Sequence, residues 1–530
     1  MHKKDIRMTL VLALTLVIAF TLTGCGKDNN VAITTSFKDT ITFAQGADPR
    51  GIDPAYVDDA ESSNIIVNVY EGLLKYAPDS TKVEPSLATS WEVSSDSLTY
   101  TFHLRKGVKF QDGTDFNAAA VKFNIERQLP PKVSPDMPYA TFVWGDPSKP
   151  ESGSFVKSVD TPDDSTVVIT LSQKNSAFLA NCAMSLGAPM VSPTACQKYN
   201  NNVNEHPVGT GPYSFVSWKK GDNVTLVRND SYWGSKAKTK NLIFKVIPDN
   251  SARVLALTNG DVDMLDGIDA TAVDTIKSAG DVLNTTKGMN INYMAFNTTS
   301  PIFKNAAARK AIAQAINRDE LVKNLYQGYA TPASTILPTF VPGFSADVQQ
   351  TGYDEAAAKA GVAAAGIKQV HMITYNNPRI YNPSTGSTLA TAIQGYLQKV
   401  GVTCKIDTYD WTTYKSKVKA GDYDLCFYGW TGDNGDPDNF LNLLATDDWT
   451  QNLARWQDPT YIKGIADALA MPNGESRNAA YAALEKQAAA ANVWYPINHT
   501  QLLWATAPGL KGVLYHVTGN SFFVDATIRK

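Results

Sequence analysis

Residues 388–406 read TLATAIQGYLQKVGVTCKI. Leu389, Ile393 and Leu397 recur every four residues, which places them on one face of a helix over 388–400. Gly401 supplies the left-handed residue that commonly closes a helix. The next residues, 402–406, read as a strand. A helix with one apolar face running directly into a strand points to a mixed α/β chain. Other stretches agree. Tyr100, Phe102 and Leu104, with Leu98 before them, alternate with Thr99, Thr101, His103 and Arg105. That period of two is a half-buried strand, ended by the Lys106-Gly107 turn. Residues 215–218 and 224–227 read as a hairpin around Lys220-Gly221-Asp222. A helix is expected over 306–316, then Asp319 as the cap of a helix over 320–326, and a further helix from Asp354-Glu355.

The chain has 530 residues, enough for two to four domains, with 43% hydrophobic and 19% charged residues. This is ordinary globular composition. The formal charge of −3 argues against a nucleic-acid-binding protein. GxxxxGK[ST], GxSxG, HExxH and GxGxxG patterns do not occur in the sequence. The six histidines are scattered, at positions 2, 103, 206, 371, 499 and 516. No nucleophile–base arrangement is legible, so no enzyme, cofactor or metal is expected. The loop Asp433-Asn434-Gly435-Asp436-Pro437-Asp438 offers oxygens for calcium, but it lacks the EF-hand order and terminal glutamate. Asp58-Asp59 is a second acidic spot, in a loop that either is solvated or faces a cleft and favours cationic groups.

Lys3, Lys4 and Arg7 precede an uncharged apolar run over 8–20, MTLVLALTLVIAF, which has the form of a secretory signal. The run ends in Leu22-Thr23-Gly24-Cys25, which resembles the bacterial lipobox. The resemblance implies cleavage after residue 24, lipidation of Cys25 and a polar tether over 25–35. The competing reading is an uncleaved membrane anchor over 8–26. Four further cysteines, Cys182, Cys196, Cys404 and Cys426, have no CxxC spacing. They are either disulfides or buried thiols.

Three stretches, taken together and in order, resemble the extracellular solute-binding proteins of bacterial peptide ABC transporters. They are SLTYTFHLRKGVKFQDGTDFNAAAVKFNIER over 97–127, VGTGPYSFVSWKKGDNVTLVRNDSYWG over 208–234, and the region 290–338 with NINYMAFNTTSPIF and ARKAIAQAINRDELVKNLYQG. The resemblance spans almost the whole chain after residue 42. It implies a two-lobed α/β periplasmic-binding-protein fold of type II, with an extra subdomain inserted in the first lobe. Lobe I is then 36–288 plus 496–530, with the insert at about 80–200, and lobe II is 289–495. The implied protein captures dipeptides or short peptides in the interlobe cleft. It delivers them to an ABC permease as a monomer, held to the cell envelope by its lipid and facing the periplasm or exterior. Relatives that bind glutathione, nickel chelates, haem or oligosaccharides define the alternative ligands.

Residues 429–440, GWTGDNGDPDNF, and 378–383, PRIYNP, resemble the dipeptide-binding branch more closely. In that branch the acid after W-x-G holds the peptide ammonium, and the arginine before x-Y-N-P holds its carboxylate. By position these are Asp433 and Arg379; Ile380 stands where the branch often has proline. Tyr381 belongs to the same motif. Gly429, Trp430 and Thr431 are expected to offer backbone for β-augmentation, with Trp430 either lining a side-chain pocket or packed in the core. The chemistry fits a zwitterion. Enclosing a dipeptide buries a positive and a negative end, and each needs a counter-charge. A planar guanidinium suits a carboxylate better than an ammonium does. The separation of the two groups would then measure ligand length, since two residues span at most about 7 Å and a third adds about 3.5 Å.

Overall fold

The computed structural model describes residues 36–148 and 154–529. The signal segment, the tether and Cys25 lie outside the described residues. Phe37 and Arg529 form an isolated antiparallel bridge. Lys38–Ile528 is a compact unit of its own.

A twelve-stranded sheet organises this unit. Its strands in chain order are β1 (Thr40–Gln45), β2 (Tyr213–Lys219), β3 (Asn223–Arg228), β4 (Asn241–Val246), β5 (Met264–Asp266) and β6 (Val282–Lys287), then β7 (Asn290–Phe296), β8 (Ala330–Pro332), β9 (Gln369–Tyr375), β10 (Thr403–Tyr409), β11 (Leu425–Thr431) and β12 (Trp494–Thr506). The order across the sheet is β10-β9-β11-β7-β12-β5-β1-β4-β3-β2, with β6 and β8 also paired to β12. β12 is shared. Its first part, from Trp494 to Asn498, pairs with β7, and its last, from Gln501 to Thr506, pairs with β6 and β5. Every residue of β7 is buried. β9 is parallel to β10 and to β11, as the intervening helices Gly386–Lys399 and Trp411–Ala420 require.

A second, antiparallel sheet joins Ala88–Val93, Thr99–Leu104, Thr166–Leu171 and Val156–Asp163 in that spatial order. Tyr100, Phe102 and Leu104 all point into a core of their own, drawn from residues between Leu73 and Met190. Another core is drawn wholly from residues between Met289 and Ile497. A third joins β1–β5 to the C-terminal residues Leu510–Ile528.

Most elements expected from the sequence are present. Leu389, Ile393 and Leu397 are fully buried on the helix Gly386–Lys399, and Gly401 has φ of +85°. The helix begins earlier than expected because the Thr385 hydroxyl accepts the Thr388 N–H at 3.1 Å. The following strand runs Thr403–Tyr409, longer than 402–406. β2 and β3 form the expected hairpin, with Gly221 at φ +77°. The helix expected over 306–316 is Ala306–Gln314. The cap at Asp319 is a correction. Asn317 is the N-cap, its side chain accepting the Glu320 N–H at 3.2 Å, and Asp319 sits in the first turn. Asp354 caps Glu355–Ala364 as expected. Cys182, Cys196, Cys404 and Cys426 are free thiols.

Three carboxyl groups are buried away from full compensation. Burial pushes Asp438 up to about 7, with Asp436 beside it adding to the effect. Burial likewise pushes Glu485 up to about 7 and Asp266 to about 6. In the unfolded chain such groups titrate near pH 4. The folded protein therefore holds protons that the unfolded chain has released, and stability rises as pH falls from 8 through 7. From about pH 7 downward the trend is opposed in part by His499 and His516, whose pKa values burial lowers from the unfolded value of about 6.5. Thermal melts should give a higher Tm at pH 6.5 than at pH 8; a flat or falling Tm would contradict this account.

Candidate functional site

β11 carries the site. It is antiparallel to β7 along its whole length, with Gly429 opposite Asn292, Trp430 opposite Ile291 and Thr431 opposite Asn290. On its other edge, pairing with β9 ends at Cys426. Residues 427–431 therefore have a strand on one edge only among the described residues. Gly429 is required by close approach. A Cβ there would lie 2.2 Å from Cδ2 of Tyr381, whose ring crosses the strand. Tyr381 is delivered by the small hairpin Pro378–Arg379 and Asn382–Thr385.

The chain leaves β11 into the acidic loop. Asp433 is partly buried and its side chain meets only neutral donors. Tyr139 Oη donates to Oδ1 at 3.1 Å and Asn439 Nδ2 donates to Oδ2 at 3.0 Å. Burial raises its pKa, and these two bonds pull the other way. Asn439 also accepts the Asp433 backbone N–H at 2.9 Å and the Trp430 indole N–H at 3.1 Å. Trp430 thus packs on the core and supports Asp433 through Asn439. Thr431 is exposed.

The other acids of the loop are occupied. Arg477 forms a two-pronged buried ion pair with Asp436, both contacts at 2.8 Å. Asp438 accepts from Tyr481 Oη at 3.2 Å. Among the described residues no cluster of His, Cys, Asp or Glu is arranged to hold a metal ion. The same loop touches the part of the chain before residue 200. Asn434 donates to Asn181 at 2.7 Å, and Thr81 donates to the Gly435 carbonyl at 3.3 Å.

Asp433 also lines a cavity of about 290 Å³, together with Glu71, Lys75, Tyr76, Met184, His516 and Phe522. Glu71 is saturated, accepting from Thr210, Tyr232 and Trp233 at 2.7–2.8 Å. His516 donates from Nε2 to the Ala77 and Ser80 carbonyls at 2.9 and 3.0 Å and stacks on Tyr76. Arg379, Gly429, Trp430, Thr431 and Tyr381 are not on the wall of this cavity.

Arg379 lies in a second group. Its guanidinium carbon is 3.5 Å from the centroid of Trp411. Trp411 stacks on Tyr428 at 5.2 Å, and Tyr428 faces Tyr381 at 6.2 Å. Among the described residues no carboxylate lies within ion-pair distance of Arg379, and its Nε is out of water with no acceptor. The structure therefore places an acid without a cation just past the end of β11, and an arginine without an anion beside Trp411, which stacks on Tyr428 of that strand.

Asp58 and Asp59 make no hydrogen bond to Asp433 or Arg379, although the Asp58 charge helps to raise the Tyr139 pKa. Asp59 caps the helix Ala60–Val69, accepting the Ser62 N–H at 2.8 Å, and Asp58 pairs with Arg50. The cleft-facing reading of these acids, with its preference for cations, gives way to local capping and pairing. Tyr139, Asn439, Trp411 and Arg477 are functional neighbours that sequence reasoning missed. Asn439 alone had a signal, since it stands six residues after Asp433 in the same motif.

Removing Asp436 leaves the Arg477 guanidinium buried without a carboxylate. Asp436→Ala should destabilise the protein by about 3–5 kcal/mol. Chemical denaturation reads this directly, and a loss below about 1 kcal/mol would show the pair to be solvated.

The comparisons with known proteins agree with this architecture. The family model for bacterial extracellular solute-binding proteins, family 5, matches residues 82–452. A haem-binding protein A of Haemophilus influenzae is 30% identical over 99% of both chains. A dipeptide-binding protein of Escherichia coli is 31% identical over 79% of this chain and 81% of its own. An ABC-transporter-associated periplasmic binding protein of Helicobacter pylori, solved with the peptide STSA, superposes with a TM-score of 0.74 at 30% identity, covering 94% of this chain and 100% of that one. The fold is that of the type II periplasmic binding proteins. An unpaired acid and an unpaired arginine, set on a type II binding-protein scaffold, belong to a chain that is a member of the bacterial extracellular solute-binding proteins, family 5.

Proposed function

We propose that this protein is the substrate-binding component of an ABC importer and that it captures a dipeptide or short peptide by its two charged ends. The observation that carries the reading is the pair of uncompensated groups. A ligand ammonium exchanges the neutral donors at Asp433 for a charge-assisted bond, and a ligand carboxylate occupies the open fork of Arg379. Beyond Phe427, whose N–H and carbonyl are held by Tyr414, the edge of residues 428–431 offers backbone to an extended peptide. No covalent step is involved. Relatives named for dipeptides and a neighbour solved with a peptide support the class of ligand.

Haem is the second reading, favoured by the relative that matches end to end. A haem iron needs an axial donor. The imidazole on the cavity wall, His516, has Nε2 committed to two carbonyls. The peptide reading is the better supported by the site.

The lobes follow from the same reading. Lobe II is 289–495, supported by the core confined to Met289–Ile497. Lobe I is 36–288 with 496–530, and its insert, at about 80–200, is supported by the separate core under the second sheet. The crossings at Gly288 and in β12 act as hinges, and ligand bridging the lobes shifts the equilibrium toward the closed form. The protein works as a monomer that docks on the permease. It is held to the cell envelope by acylation at Cys25 and faces the periplasm or exterior. Cys25→Ser should leave the chain unacylated and uncleaved, which intact mass spectrometry reads; a processed, acylated variant would refute the lipid site.

Calorimetry with a dipeptide tests the ligand. Arg379→Ala should weaken binding by about 100-fold, the cost of leaving a ligand carboxylate enclosed without a partner. Undiminished binding of an N-acetylated, C-amidated dipeptide by the native protein would overturn the assignment. Binding should also weaken as pH falls, by up to about tenfold per pH unit below the pKa of Asp433 in the free protein. Only ionised Asp433 pairs with an ammonium, and burial raises its pKa, so the fall begins above the ordinary carboxylate range. The titratable groups facing it, Tyr139 and Tyr76, have pKa values raised by burial and stay neutral throughout.

A further inference from the structure

Arg379 is held in place without using its hydrogen-bond donors. Its guanidinium lies over Trp411, Cζ 3.5 Å from the ring centroid. An acidic partner would have fixed the side chain equally well, but a ligand carboxylate would then have to displace it. A stack against a π face holds the plane of the guanidinium and leaves its N–H edges open. The absence of any ion-pair partner among the described residues, with Nε buried and unsatisfied, is what such a support produces.

Trp411 is itself immobilised. It is the first residue of the helix Trp411–Ala420, whose N-cap Asp410 accepts the Thr412 and Thr413 N–H groups at 3.0 and 3.1 Å. The ring of Tyr375 meets it edge-on at 5.4 Å, and Tyr428 and Tyr414 lie against it at 5.2 and 5.8 Å. Tyr414 is locked in turn, donating to the Phe427 carbonyl at 2.5 Å and accepting the Phe427 N–H at 3.1 Å. The platform is thus tied to β11, the strand that leads to Asp433.

We propose that Trp411 is a positioning residue for ligand recognition: its indole face presents the Arg379 guanidinium, with its donors free, to the terminal carboxylate of a peptide. The proposal rests on the peptide reading above. It makes Trp411 a determinant of the preference for a free carboxylate, although it does not touch the ligand carboxylate itself.

The test compares Ala-Leu with its C-terminal amide by calorimetry on the purified full chain. The native protein should prefer the acid. Trp411→Leu, which keeps apolar bulk and loses the π face, should lower affinity for the acid roughly tenfold and leave the amide unchanged. Trp411→Phe should lose only about threefold, and that variant decides the matter if the leucine variant does not accumulate. Equal losses for acid and amide would show a purely structural role and overturn the proposal. An unchanged acid-to-amide ratio would also overturn it. Arg379→Ala separates the role of Trp411 from that of the arginine. If it retains the preference for the acid, the peptide reading of Arg379 fails. If it abolishes the preference while both Trp411 variants keep it, only the role of Trp411 fails.

Discussion

A folded chain rarely keeps an ionisable group away from water without a partner of opposite charge. Asp433 and the partly buried Arg379 both lack such a partner among the described residues, and the candidate site is organised around these two groups. The neighbouring acids have partners of their own. Arg477 takes Asp436, Tyr481 takes Asp438, and Glu71 is enclosed by three neutral donors. What remains is one acid held by a phenol and a carboxamide, and one guanidinium held by an indole. Neutral donors contribute about 1 kcal/mol each in net terms, and on the proposed reading a charged ligand group would replace them with stronger, charge-assisted bonds.

The scaffold explains how two such groups are kept apart yet registered. Asp433 follows β11 in the chain, Arg379 reaches it through Trp411 and Tyr428, and β7, the strand paired with β11, is buried along its entire length. Tyr381 crosses at Gly429, where a side chain on the strand would collide with it. β12 ties this half of the sheet to the other half, so the Asp433 loop meets the segments around Thr81, Tyr139 and Asn181. On the proposed reading, binding at the acid end would be coupled to how those segments approach it.

Much of the fold was legible because local chemistry and burial agree. The period-two run ending at Leu104 and the Leu389/Ile393/Leu397 stripe each bury the face that their spacing predicts. Gly401 and Gly221 take the left-handed conformations expected of them. Boundaries slipped where two capping side chains stand close together. Asn317 reaches the helix amide before Asp319 does, and Thr385 caps ahead of Thr388. Asp58-Asp59 allowed either a solvated loop or a charged cleft loop; a helix start takes Asp59, and the exposed Asp58 pairs with Arg50. Of the candidate site, the motif named Asp433, Arg379, Tyr381 and the β11 residues as what the resemblance implies. The stacking of Trp411 on Arg379 and the reach of Tyr139 to Asp433 were invisible. They join residues 32 and 294 positions apart through tertiary packing alone.

The most direct test of the central claim is to ask what the protein carries. Protein purified without added ligand is denatured, and the released small molecules are identified by mass spectrometry. The account predicts a set of dipeptides or short peptides with free amino and carboxyl termini and varied side chains. Release of haem, a sugar or a metal chelate in their place would contradict it.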